Sequence, residues 1–464
     1  MGECKQLGGI ILNEQDLQQL VWCYQQLGLI VSDNIGESIN QDEDLRKIEK
    51  IFLVEIPELM KKSAPAEIYD LLQELQYNYE FLHDCIVYGS LKRKNVIGLG
   101  GGFSSGKSSF INSMMGHGEI LPENINPSTS VPTYIVNGNE NKVSGINIFQ
   151  KNMELDLFSI NAISHGFGSF ADDIKSIELG HILRNLVLTT PLFKYKNIAF
   201  LDTPGYSKPD DVNYSAKTDE MVARQELNTT NYILWFSPVS ESGSLAETDI
   251  AFIKSLREDL HISIICSKAN RRTVEQRKQI RKTILQQIES SKLNVDNIYF
   301  FDTETPEGLD AESIKMLILE KNSREYDGSA LGKNIKKFFV RMEEYYENKD
   351  KELAQKTNRM NQAILCIENE YLVRDGLQAL INDMKSERNQ LKAYKEKMKE
   401  LEIELCKLVK AISSRYEFDF VIPEYGVIKS EMHSQNATIN TQKRLGFART
   451  NSSFSKLAKV RFEE

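Results

Sequence analysis

The spacing of hydrophobic positions in this chain changes twice, near residues 94 and 333. Before the first change, Leu17, Leu20, Val21, Tyr24 and Leu27 recur at helical intervals, as do Ile68, Leu71, Leu72, Leu75, Tyr79, Leu82 and Ile86. That period gathers apolar side chains on one face of a helix. Residues 13 to about 92 are therefore expected to be helical, with Pro57 and Pro65 bracketing a break. From about 94, short unbroken apolar runs take over: VIGL (96–99), NIAFL (197–201), YILWFS (232–237), ISIIC (262–266) and IYFF (298–301). Runs without polar alternation suit strands covered on both faces, hence a mixed, mostly parallel sheet with helices on each side. TYIV (133–136) and VSGINI (143–148), joined by NGNENK, are expected to pair as a hairpin at the sheet edge. From about 333 to 415 the helical period returns. Leu391, Tyr394, Met398, Leu401, Leu405, Leu408 and Ile412 form a heptad seam, and Gly376 is expected to mark a kink or turn before it. Such a seam serves either self-association or an intramolecular hairpin.

Composition changes this picture at a few points. A chain of 464 residues exceeds what one core can serve, so two or three domains are expected. At 41% hydrophobic and 27% charged residues it has the makeup of a folded protein. A net charge of −9 argues against nucleic acid as a partner. The six cysteines include no CxxC pair, so neither a zinc site nor a disulfide framework is expected, and the compartment reads as reducing. The N-terminus lacks the pattern of a signal peptide, and no apolar run approaches the roughly 20 residues that span a bilayer. The expected location is therefore cytoplasmic, with any membrane contact peripheral and on the inner face. In 430–464, basic residues at 443, 444, 449, 456, 459 and 461 outnumber the acidic ones. The resulting division is a helical arm at 1–93, an α/β P-loop domain at 94–325, a helical stalk or coiled coil at 326–420 and a poorly structured basic tail at 421–464.

The chemistry concentrates in GGFSSGKSS, residues 101–109. Gly101, Gly106, Lys107 and Ser108 match the phosphate-loop pattern G-x-x-x-x-G-K-[ST]. Glycines allow the tight turn that aims successive backbone N–H groups at phosphates, here across Gly101, Gly102, Ser104, Ser105, Gly106, Lys107, Ser108 and Ser109. Lys107 brings a cation to the β- and γ-phosphates, and the Ser108 hydroxyl is a hard ligand for Mg²⁺. The loop follows a buried strand and opens a helix, whose positive end favours anions. The second anchor is DTPG, 202–205, at the end of another strand. Asp202 is placed to reach Mg²⁺ through water, and the Gly205 N–H to sense a γ-phosphate.

These motifs together resemble the dynamin superfamily, and among its members the bacterial dynamin-like GTPases. The resemblance rests on GGFSSGKSS with its second serine Ser109, on the switch I-like INPSTSVPTYI (125–135), and on the long interval from Lys107 to Asp202. The stretch SGSLAETDIAFIKSL (242–256) also looks like the family's segment after switch II. It covers about 94–325. It implies GTP as substrate and Mg²⁺ as cofactor, with Thr129 as a further ligand that positions the attacking water. It also implies that Ser104 helps hold a monovalent cation, K⁺ or Na⁺, where other GTPases use an arginine finger. Dimerisation of GTPase domains, movement of a helical stalk and membrane remodelling follow from it, as does a partner dynamin-like chain.

Three departures bear on those expectations. Phe103 stands where many dynamins carry a water-orienting polar residue, so slow basal turnover is expected. The base-reading [NT]KxD motif becomes Ser267, Lys268, Ala269 and Asn270, and an amide in place of the carboxylate presents a donor to a guanine donor. The chain after the GTPase domain is short for a full stalk and paddle, and no lipid-inserting apolar tip is evident. Two other readings remain: a regulatory or assembly GTPase acting on RNA or a ribosomal particle, and a nucleotide-binding scaffold with little hydrolysis.

Overall fold

The computed structural model describes residues 5–7, 10–12, 42–91, 93–115, 131–147, 152–155, 183–206, 215–239, 243–257, 260–303, 309–326, 329–367, 371–416 and 423–430. The helix expected over 13–41 and the basic tail after 430 lie outside them. A short antiparallel pair comes first, β1 (Lys5–Leu7) and β2 (Ile10–Leu12). The chain divides into two compact units, one of 1–46, 79–327 and 414–418, the other of 47–78, 328–413 and 419–464.

In the second unit, helix α1 (Glu43–Lys50), which begins just inside the first unit, passes through a π-helical turn at Ile51–Glu55 into α2 (Ile56–Lys62). Pro57 therefore does not bound the break. It sits in the first turn of α2, where its missing N–H is tolerated. The break comes at 63–67, around Pro65, before α3 (Ile68–Val87).

In the first unit, nine strands form one sheet among the described residues. In chain order they are β3 (Asn95–Gly101), β4 (Thr133–Asn137), β5 (Lys142–Asn147), β6 (Asn152–Leu155), β7 (Leu183–Thr190), β8 (Ile198–Asp202), β9 (Tyr232–Pro238), β10 (His261–Ser267) and β11 (Asn297–Phe300). The spatial order is β11-β10-β9-β3-β8-β4-β7-β5-β6, and the first five of these run parallel. The expected hairpin of β4 and β5 does not form. Strand β7 lies between them, parallel to β4 and antiparallel to β5, and β5 takes β6 as its hairpin partner. The reading went astray because NGNENK joins two genuine strands, while the strand that separates them comes some forty residues later, where Arg184 and Asn185 interrupt the apolar run.

Helices cover both faces of the sheet. On one face Phe110 and Ile111 of α4 (Lys107–Met114) pack with Leu99, Phe200, Leu234 and Phe236. On the other, Leu227 of α5 (Ser215–Thr229) and Phe252 of α6 (Glu247–Lys254) cover Ile233 and Trp235. Alternate residues of β9 thus serve opposite cores, which is why its run is apolar throughout. Helices α7 (Val274–Ser291) and α8 (Ala311–Asn322) complete the layers.

The second unit is dominated by α9 (Ser329–Leu365) and α10 (Tyr371–Arg415). Cross-helix ion pairs Lys336–Glu402, Lys395–Glu343 and Arg388–Asp350 advance along one helix as they retreat along the other, so the two run antiparallel. The seam residues Leu391, Met398, Leu401, Leu405 and Ile412 are buried within the chain, which uses the seam internally. Near its end Val409 is buried in place of Leu408, as expected when a 3.6-residue helix drifts past a 3.5-residue pattern. Helix α10 runs unbroken through Gly376. Where α9 ends and α10 begins, Leu365, Tyr371 and Leu372 are 80%, 77% and 89% exposed.

Candidate functional site

Strand β3 ends at Gly101, whose backbone takes φ +135, and a Cβ there would stand 2.3 Å from the Phe236 carbonyl oxygen. Only glycine fits, and the turn that follows aims the chain across the end of the sheet. Ser104 adopts a left-handed φ of 53, and Gly106 one of 97 immediately before α4. A left-handed serine costs of order 1–3 kcal/mol and is kept where the surroundings demand it. No sequence signal marked Ser104 for that conformation.

Lys107, the first residue of α4, is buried, and its Nζ donates to the carbonyls of Gly101 at 3.1 Å and Gly102 at 3.2 Å. Burial pushes its pKa down, while the carboxylates of Asp202 and Asp249 pull it up. The Ser108 hydroxyl donates to Asp202 Oδ2 at 3.3 Å. Asp202 Oδ1 is buried without a hydrogen-bond partner, as is Ser105 Oγ. Burial pushes the Asp202 carboxyl up to about 6, against the opposing pull of Lys107 and of the Ser108 hydrogen bond. Thr203 donates to the Leu99 carbonyl at 2.8 Å, tying the end of β8 to β3.

Gly205 lies against the loop: a Cβ there would stand 2.8 Å from Phe103 Cα and 2.9 Å from its backbone N. The Ser267 hydroxyl donates to the Ser105 carbonyl at 2.6 Å, bringing 267–270 to the same end of the sheet. Lys268 is left-handed at φ 55, Asn270 is exposed, and the Ala269 N–H donates to the Phe301 carbonyl at 3.3 Å. That contact sets Asp302, which is buried, beside the turn. The structure thus gathers residues 101–109, Asp202, Gly205 and Ser267–Asn270. Thr129, with most of the switch I-like segment, lies outside the described residues. Sequence reasoning missed Tyr206 and Asp249, which lie beside this cluster. Tyr206 belongs to no motif, and Asp249 lies within the stretch at 242–256 without being singled out there.

A buried carboxylate oxygen without a partner, close to a hydroxyl, is the hard-oxygen chemistry that suits Mg²⁺. Among the described residues no three His, Cys, Asp or Glu side chains gather as a metal cage. An ion here would complete its shell with water and phosphate oxygens, as Mg²⁺ commonly does. Asp202→Asn is expected to raise the unfolding midpoint of the nucleotide-free protein at pH 8, because the carboxyl's folded pKa of about 6 exceeds its ordinary value of 3.8 and the ionised form is penalised. The gain shrinks as pH falls through about 6 towards 4, and thermal melts across that range measure it.

The family model of the Dynamin family matches residues 97–268. No curated protein matches the chain. Among solved structures it is similar to chains of an oligomerised bacterial dynamin pair, described as a mechanism for long-range sensing and tethering of membranes, at 15% identity and a TM-score of 0.40. That likeness covers 75% of this chain and 50% of the other, so the chain spans about half the length of the bacterial dynamin it matches. It is also similar to Era of Aquifex aeolicus bound to GDP and aluminium fluoride, at 12% identity, a TM-score of 0.29 and coverage of 53% and 67%. Among the described residues no helix is long and apolar enough to cross a membrane. The Dynamin-family match thus falls on the strand, loop and turn just described.

Proposed function

We propose that this chain binds GTP with Mg²⁺ and hydrolyses it slowly, and that pairing of GTPase domains is coupled to movement of its long helices at a membrane surface. The observation that carries the reading is the phosphate-loop geometry: a left-handed turn at 101–106, a buried Lys107 and a buried, half-partnered Asp202 beside Ser108. A triphosphate offers Lys107 anionic oxygens in place of two neutral carbonyls, and charge-assisted bonds are the stronger. Backbone N–H groups from Gly101 to Ser109 and the positive end of α4 hold the phosphates. Ser108 and Thr129, and Asp202 through water, would hold Mg²⁺, which would supply charge neutralisation at the phosphates. Thr129 orients the attacking water, Gly205 senses the γ-phosphate, and Ser104 helps hold a K⁺ or Na⁺ ion. With Phe103 unable to orient water, turnover depends on backbone groups and is slow.

The base is read by Ser267, Lys268 and Asn270. Asn270→Asp is expected to tighten GTP binding about tenfold by restoring a second acceptor towards guanine, with ATP affinity unchanged. Competition binding of the two nucleotides checks this.

A peripheral membrane role, on the cytoplasmic side, draws support from the exposed side chains of Leu365, Tyr371 and Leu372. Self-association and a partner dynamin-like chain fit the same reading. The deciding experiment is phosphate release from GTP and ATP across protein concentration, with K⁺ or Na⁺, alongside liposome sedimentation and an RNA gel shift. GTP-selective turnover whose specific rate rises with concentration, together with sedimentation, supports the proposal. No turnover, or equal turnover of both nucleotides, overturns the hydrolase. Binding of RNA without liposomes overturns the membrane role.

A further inference from the structure

Tyr206 directly follows Gly205, and its surroundings are unusually well built for a residue at the end of a turn. Its ring lies against Trp235, with centroids 5.7 Å apart, and Phe252, at 5.0 Å. Its hydroxyl donates to Asp249 Oδ1 and lies 3.4 Å from Thr248 Oγ1. Asp249 is buried, and its other oxygen accepts from the Ser237 hydroxyl at 3.1 Å. Phenol, carboxylate and serine thus tie three elements together: the segment after β8, helix α6 and the end of β9.

The same peptide is fixed at its other end, where Thr203 bonds the Leu99 carbonyl. Only Pro204 and Gly205 lie between the two fixed points. Proline holds its own φ near −65°, and Gly205 is pressed against the backbone of Phe103. Phe236, the residue before Ser237, closes the circuit, because its carbonyl is what Gly101 must be a glycine to approach. The Asp249 charge also reaches Lys107.

Building on the nucleotide reading above, we infer that Tyr206 is a positioning residue for triphosphate recognition: its hydrogen bond to Asp249 presets Gly205 beside the loop, so that the peptide meets a γ-phosphate without first having to be ordered. Recognition of a diphosphate does not use Gly205 and is independent of the bond. A neutral donor to a charged acceptor is the stronger class of hydrogen bond, and its loss reappears as an ordering cost whenever the triphosphate binds.

The test compares wild type, Tyr206→Phe, Asp249→Asn and the double variant, all full-length and carrying Trp22→Phe so that Trp235 is the one tryptophan. Tyr206→Phe keeps both ring contacts and loses only the donor. It is expected to weaken binding of a non-hydrolysable GTP analogue about tenfold or more while leaving GDP affinity within about twofold. The Trp235 emission change caused by the analogue, absent with GDP, is lost with it. Asp249→Asn keeps an acceptor without the charge and shows the same loss in smaller measure. The double variant is no worse than Tyr206→Phe, since both act through one bond. A purely structural role lowers the unfolding midpoint and both affinities together, and that result overturns the inference. So does unchanged discrimination between analogue and GDP in Tyr206→Phe, or in Asp249→Asn if the phenylalanine variant fails to fold. Wild type that binds neither nucleotide overturns the nucleotide reading and this inference with it, whereas wild-type binding without a Tyr206 effect overturns the inference alone.

Discussion

Lys107→Ala is expected to remove triphosphate binding. The ammonium is the one buried cation of the loop, and its alternative partners, the carbonyls of Gly101 and Gly102, are neutral. Losing two or more charge-assisted bonds to phosphate, each of about 1.5–3 kcal/mol, weakens affinity by about a hundredfold or more. The fold is expected to survive. Burial already opposes the charge on Lys107, so truncation removes a desolvated ammonium along with two hydrogen bonds. Isothermal titration with GTP, beside a thermal melt of the nucleotide-free protein, separates the two effects. Retained affinity with an unchanged melt would sink the phosphate-loop assignment.

Phe110→Ala is expected to be the most damaging substitution for stability, at about 3–5 kcal/mol. Phe110 is fully buried, and its ring meets those of Phe236 at 5.2 Å, Phe301 at 5.1 Å and Phe200 at 6.0 Å. Three strands and α4 converge on it, so the cavity left by alanine cannot close by moving one element. Since α4 begins with Lys107 and Ser108, nucleotide affinity falls as well. Met316→Ala is the control. Its side chain on α8 is 70% exposed, and the expected change is within about 0.5 kcal/mol. Denaturant titrations of both variants decide the matter, and equal losses would mean that Phe110 is not the keystone of this core.

What could be read from the sequence depended on whether the cause was local. The runs at 96–99, 197–201, 232–237, 262–266 and 298–301 became strands, because burial on both faces leaves its mark residue by residue. The loop was legible because its chemistry requires glycine, lysine and serine at fixed spacing. Pairing was not: β4 and β5 are close in sequence, which suggests a hairpin, and nothing near them announces β7. The neighbours of Tyr206 were hidden for the same reason. A tyrosine after DTPG and an aspartate within 242–256 carry no sign of each other until the fold sets them in contact.

The insertion of β7 also constrains the order in which the chain can assemble as it leaves the ribosome. Strands β5 and β6 are neighbours in sequence and pair with each other, so they can zip as soon as residue 155 has emerged. Among the described residues they have no bond to β4, and their link to the rest of the sheet is β7, which ends at Thr190. Strand β4 in turn reaches β3 only through β8, which ends at Asp202. Until those residues are synthesised, the early hairpin must wait with one edge unpaired, and a growing chain in that state is most exposed to chance β-pairing with its neighbours.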